Sequence, residues 1–178
     1  MILCLDGPYG VGKTTIANRI KEKFINNDLI VLESDYYYQK WIQDNWMKDD
    51  PLLFLLGGTM PQNNQRFVSM FRDVIKEAAS NPNQLIISVM ALTDDISRKG
   101  IIDELCSEGY DVKHIILTAD KDTILERIGN DKNRDQSFAH QWLPVQLSYL
   151  ENIDATKVDT QGRSIDNIAD LIISMIQE

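Results

Sequence analysis

The sequence predicts an α/β domain in which three αβα layers are built on a five-stranded parallel sheet. Three observations point there. Apolar runs of strand character recur at "MILCL", "LIVLE", "LIISVM", "VKHIILT" and, more weakly, "ATKVDT". Stretches with apolar residues at helical spacing separate each run from the next, and parallel neighbours need such crossovers, with helices covering both faces. At 178 residues and 43% hydrophobic content, the chain is long enough to bury a two-sided sheet as one domain, 1–178, with no room for a second large one.

In chain order, helices are expected over about 13–26, 36–48, 62–80, 94–108, 120–130, 136–151 and 164–177, with ends good to about 2–4 residues. "PLLFLLGG" reads as a further short helix, with Pro51 near its start and Gly57 closing it. No internal repeat, low-complexity tract or linker interrupts the series. In an open parallel sheet, ligands gather beyond the C-terminal ends of the strands. Here that rule brings together residues 6–14, 34–36, 88–94, 118–121 and 158–163.

The strongest chemical signal is "CLDGPYGVGKTTIA", beginning at Cys4. Gly7, Gly10 and Gly12 followed by Lys13 and Thr14 match GxxGxGKT, the P-loop, whose glycines let successive N–H groups curl around phosphate oxygens at a helix N-terminus. Val11 and Thr15 complete that cradle. Lys13 bridges the outer phosphates in such loops, and the Thr14 hydroxyl is an oxygen ligand for Mg²⁺, a small hard cation. The context fits: "MILCLD" is a strand entering the loop, and Ile16, Ile20 and Phe24 mark a helix leaving it. A nucleoside triphosphate with Mg²⁺ is therefore the expected ligand, on a P-loop NTPase fold.

Bulk composition narrows the partners. A formal charge of −9 repels polyanions, so nucleic acid is not an expected partner and the phosphate pocket supplies its own positive charge. Cys4 and Cys106 show no CxxC or Cys/His spacing, which fits reduced core thiols in a cytoplasmic protein. No targeting peptide is evident. The longest purely apolar run, "LLFLL", falls far short of the roughly 20 residues that span a bilayer, so no transmembrane segment is expected; peripheral membrane contact stays open. The oligomeric state is read as monomer or homodimer.

Other P-loop classes are less consistent with the chain. "DTQG" at Asp159 has the letters of a GTPase DxxG but lies near the C-terminus, and "NDKNRD" is not the base-reading NKxD. Motor ATPases end a buried strand in an acid that organises Mg²⁺, whereas "LIISVM" ends in Ser88, Val89 and Met90. Small-molecule kinases remain.

The chain resembles the compact kinases of the nucleoside-monophosphate, shikimate and gluconate kinase group. It is more closely similar to the chloramphenicol phosphotransferase and tunicamycin-resistance ATP-binding branch. The likeness rests on the complete GxxGxGKT, a strand-end aspartate, "VM" closing the third strand, "GYDVKHIILTADKDTILERI", a Trp and Gln on the following helix, and "VDTQGRSIDNIADLI". It implies a nucleoside-monophosphate-kinase-like fold with a short lid at about 128–138 and a substrate-side helical region at about 36–80.

Asp35, after "VLES", is placed to take a proton from an attacking hydroxyl and to contact the acceptor, or to cap the next helix. Asp6 is a second carboxylate within water-mediated reach of Mg²⁺. The resemblance implies that Arg127, in the apolar-x-x-Arg run from Ile124, contacts the nucleotide and that Arg134 acts from the lid on the transferring phosphoryl group; the alternative is solvated surface cations. It also implies that Thr160, Gln161 and Gly162 pass beside the adenine, a loop that otherwise reads as a turn with Ser164 capping the last helix. Tyr37, Trp41 and Trp142, with Gln141 and Gln146, either line the acceptor site or belong to the core. His114 and His140 lack partners at metal spacing and read as structural or surface residues.

Two functions of different class fit these residues. One is an ATP- and Mg²⁺-dependent phosphotransferase acting on a hydroxyl of a small molecule, with antibiotics and nucleoside-like compounds as acceptor classes. The other is an ATP-dependent binding protein that sequesters a drug with little turnover, and a nucleotide-gated regulatory module is a third, weaker reading.

Overall fold

A computed structural model of the chain describes residues 1–24, 28–46, 63–132 and 136–177. The strands are β1 (Ile2–Asp6), β2 (Leu29–Glu33), β3 (Leu85–Val89), β4 (Val112–Thr118) and β5 (Thr156–Asp159), all parallel and in the order β2-β3-β1-β4-β5. β1 is thus central. Every one of its residues is buried, as a strand covered on both faces must be.

Helices α1 (Lys13–Lys23), α2 (Ser34–Trp46) and α3 (Gln65–Ala78) come first. The expected helix over 94–108 is divided into α4 (Asp95–Arg98), a π-helical segment (Lys99–Asp103) and α5 (Glu104–Ser107). Apolar periodicity does not distinguish a π turn from an α turn, so this division is not visible in the local pattern. Then come α6 (Lys121–Asn130), α7 (Gln136–Glu151) and α8 (Ile165–Gln177). The start signals are side-chain caps: Asn64 Oδ1 accepts from the N–H groups of Arg66 and Phe67, Asp120 from Thr123, and Ser164 Oγ from Asn167. The "PLLFLL" segment lies outside the described residues. None of the described helices is long and apolar enough to cross a membrane.

The period-2 alternation of β1 splits the core in two. Leu3 and Leu5 pack with Ile16 and Ile20 of α1 and Ile168 and Ile172 of α8. Ile2 and Cys4 face the opposite layer, where Phe67, Phe71 and Ile75 of α3 meet Ile101 and Leu105. Tyr37, Tyr38 and Trp41 of α2 lie against that second layer. Phe67 is its keystone, wholly buried, with ring centroids 5.1 Å from Tyr38, 5.9 Å from Trp41 and 6.0 Å from Phe71. Phe67→Ala should cost about 3–5 kcal/mol, measured as a lower urea midpoint with an unchanged denaturant slope.

Both cysteines are free, but only one is a core thiol. Burial, with the Asp6 carboxylate adding to it, pushes the Cys4 thiol up to about 12. Cys106 is exposed, against expectation, because its helix turns that position to solvent. A thiol reagent at pH 8 should therefore modify one cysteine in the native chain and the second only after denaturation.

Candidate nucleotide-binding site

The loop from Gly7 to Gly12 leaves the C-terminal end of central strand β1 and feeds α1. Gly7 has φ of 140°, and a Cβ there would sit 2.6 Å from the Leu117 carbonyl oxygen, so neither the conformation nor the space admits a side chain. Gly12, at φ 108°, stands at the cap of α1 and supplies no side-chain cap. The first N–H groups of α1 thus face the loop without a capping side chain, which makes that end attractive to an anion. Gly10 packs beside Ile128, and Val11 is buried.

Lys13 reaches back across the loop. Its Nζ donates to the Gly7 carbonyl at 2.7 Å and the Pro8 carbonyl at 3.0 Å, holding an ammonium over the cradle. From α7, buried Gln146 accepts from the Tyr9 N–H at 2.9 Å and so braces the outer rim of the loop. The sequence offered Gln146 as an acceptor-site or core residue; its contact is with loop backbone.

Thr14 Oγ1 donates to Glu33 Oε2 at 2.9 Å. Glu33 is the last residue of β2, and this corrects the reading of the strand end: α2 begins at Ser34, so Asp35 falls in its first turn and is exposed. Glu33 was legible in principle, since the last residue of "LIVLE" stands at a strand's C-terminal end. A hydroxyl beside a carboxylate is a donor set of hard oxygens, and these residues fit Mg²⁺.

Beyond the loop opens a cleft of about 370 Å³, bounded by Gly12 and Thr15 on one side and by Arg127, Thr160 and Arg163 on the other. That size falls in the range of small-ligand pockets. Arg127 fixes its wall: Nη1 donates to Thr160 Oγ1 at 2.9 Å and to the Val11 carbonyl at 3.3 Å, and Nη2 donates to the Thr160 carbonyl at 3.0 Å. Thr160 is tied in turn to Thr118, through its N–H at 2.8 Å and its hydroxyl at 2.9 Å. One guanidinium therefore joins the P-loop to the loop after β5, whose turn is made at Gly162, φ 65°.

Among the described residues, Tyr37, Trp41, Trp142 and Asp6 do not line this cleft. Tyr37 and Trp41 are half-buried against Phe71 and Phe67. Trp142 is half-buried on α7. Arg134 lies outside the described residues. His140 is exposed. Asp6 is wholly buried under the loop: its Oδ1 accepts from the N–H groups of Gly7 at 2.5 Å and Leu92 at 2.8 Å, and its Oδ2 lies 3.0 Å from His114 Nε2. With both oxygens so engaged, Asp6 is not presented to a cation on the loop's outer side.

A family model described as an AAA domain matches residues 2–142, most of the chain. The chain belongs to that AAA-domain family. Solved structures of similar fold cover nearly the chain's whole length. They include a tunicamycin resistance protein from Deinococcus radiodurans, with a TM-score of 0.74, 22% identity, and coverage of 98% of this chain and 94% of that one. A gluconokinase from Sinorhizobium meliloti gives 0.67, 12%, 99% and 91%. A shikimate kinase from Bacteroides thetaiotaomicron gives 0.61, 16%, 100% and 99%. No curated protein matches the AAA-domain chain. Identities this low establish the shared fold, a five-stranded parallel sheet between helical layers, and no more.

Proposed function

We propose that the chain is an ATP-dependent phosphotransferase that moves the γ-phosphoryl group of ATP to a hydroxyl of a small molecule, with antibiotics and nucleoside-like compounds as the acceptor classes. The observation that carries this reading is the continuity of the site. A phosphate cradle under Lys13 runs directly into a cleft of about 370 Å³ walled by Arg127 and Thr160, while the Thr14–Glu33 pair stands on the loop's other side.

The roles follow from chemistry. The N–H groups at the start of α1 and the Lys13 ammonium bind and orient the phosphates. Arg127, Thr160 and Gly162 shape the nucleoside end. Thr14 and Glu33 would hold Mg²⁺, which when bound neutralises charge on the phosphates. Asp35 is the proposed base: it takes the proton of the acceptor hydroxyl as that oxygen forms its bond to the γ-phosphorus and the bond to the bridging oxygen of ADP breaks. Arg134 is proposed to meet the transferring group from the 128–138 segment, and Tyr37, Trp41 and Trp142 to border the acceptor. Glu33→Gln should raise the magnesium concentration needed for half-maximal activity by about 10–100-fold, as lost support of a metal ligand does, read from activity against free Mg²⁺.

The test is a labelled-ATP assay over nucleosides, sugars and antibiotics. Phosphorylated product that disappears in Asp35→Ala while ATP binding persists supports the transferase. The fold shared with a tunicamycin resistance protein favours a second reading, ATP-dependent sequestration of a drug. Tight drug binding with no phosphorylated product would move the assignment to it.

A further inference from the structure

We infer that Asp6 and His114 are positioning residues for nucleotide binding, a buried pair that fixes the first amide of the P-loop and ties it to the segment leaving β3. The inference rests on the nucleotide site proposed above, and not on turnover.

Three contacts define the pair. Asp6 has no exposed surface, and its Oδ1 accepts from both Gly7 N–H, at 2.5 Å, and Leu92 N–H, at 2.8 Å. Its Oδ2 lies 3.0 Å from Nε2 of His114 on the neighbouring strand. Register explains how they meet. His114 stands opposite Cys4, and Asp6 lies two residues further along β1, on the same face of the pleat. The imidazole therefore reaches forward along the sheet to the carboxylate.

Burying a carboxylate is unfavourable unless donors surround it, and a neutral residue could cap Gly7 at lower cost. What the carboxylate adds is reach to three elements at once. One of its backbone donors opens the phosphate loop; the other, Leu92, begins the run through Thr93 and Asp94 into α4. The carbonyl of Gly7 accepts the Lys13 ammonium at 2.7 Å. The peptide plane that Asp6 holds is thus continuous with the one that holds Lys13. His114 keeps the carboxylate turned so that both amides stay bound, and its loss should loosen Gly7 and with it the Lys13 ammonium.

The chain has two histidines, so ring nitrogen-15 resonances can be assigned with a single His140→Gln variant. Adding ADP with Mg²⁺ to the full chain should shift the His114 ring resonances. Fluorescently labelled ATP should bind His114→Ala about tenfold more weakly than the parent chain, the scale of a lost charge-assisted hydrogen bond. His114→Gln, whose amide can still donate to Asp6, should recover most of that affinity. Unmoved His114 resonances at saturating ADP would overturn the inference, as would equal affinities for the parent and His114→Ala, or an equal loss in the Ala and Gln variants. Should His114→Ala fail to fold, the resonance shift in the parent chain still decides. Affinity that follows this pattern in a chain yielding no phosphorylated acceptor upholds the pair while removing the transferase reading.

Discussion

Lys13→Ala should lower phosphoryl transfer about 10²–10³-fold, the scale seen when one preorganised donor to a developing charge is removed. Lys13 Nζ is held by the Gly7 and Pro8 carbonyls at 2.7 and 3.0 Å, so the ammonium is aimed across the cradle before any phosphate arrives. That preorganisation is what makes the loss large: no other side chain of the loop carries positive charge, and the amides at the start of α1 contribute only partial charges. Lys13→Arg should not restore the rate. A planar guanidinium is longer and wider than an ammonium and cannot sit as a point charge between two carbonyls of a tight loop. Initial rates with labelled ATP, together with a nucleotide titration of each variant, separate lost catalysis from lost binding. A Lys13→Ala rate within about threefold of the parent would contradict the role assigned to this residue.

Arg127→Ala should weaken nucleotide binding about 10–100-fold, because hydrogen bonds to charged groups contribute about 1.5–3 kcal/mol and each 1.4 kcal/mol is a decade in affinity. Here the guanidinium serves three acceptors, the Val11 carbonyl and the carbonyl and hydroxyl of Thr160. Without it the loop after β5 keeps its tie to Thr118 but loses its tie to the P-loop, and the cleft wall is free to move. Arg127→Lys should behave like the Ala variant, since one ammonium cannot span the same three acceptors. The expected signature is a raised KM for ATP with a smaller change in kcat, which marks binding shared by ground and transition states. Equal KM values in the parent and both variants would remove Arg127 from the nucleotide site.

Much of this architecture is legible in the chain. The apolar runs are clearest for β1 and β3, which are buried throughout as strands covered on both faces must be, and weakest for edge strand β5, where only Val158 is buried; GxxGxGKT at a strand end leaves little freedom in where the loop sits. Arg127 was legible only through the resemblance, whose apolar-x-x-Arg run it matches from Ile124; helical spacing sets it beside buried Ile124 and Ile128 and by itself assigns it no ligand. Glu33 was not singled out, because the run "ESD" offers two carboxylates two residues apart and only the start of α2 at Ser34 decides which one ends the strand. The His114 contact was less visible still. It depends on β4 lying beside β1 with Cys4 opposite His114, a register that no local pattern encodes. Tyr37 and Trp41 show the converse difficulty: an aromatic at helical spacing reads alike as core or as pocket, and both side chains lie against Phe71 and Phe67.

Calorimetric titration of ATP with Mg²⁺ into the purified chain tests the central claim most directly. One saturable site per chain, weakened in Lys13→Ala and in Arg127→Ala, is the predicted result. No saturable heat with ATP or GTP, in a chain whose melting temperature is also unchanged by either nucleotide, would contradict it.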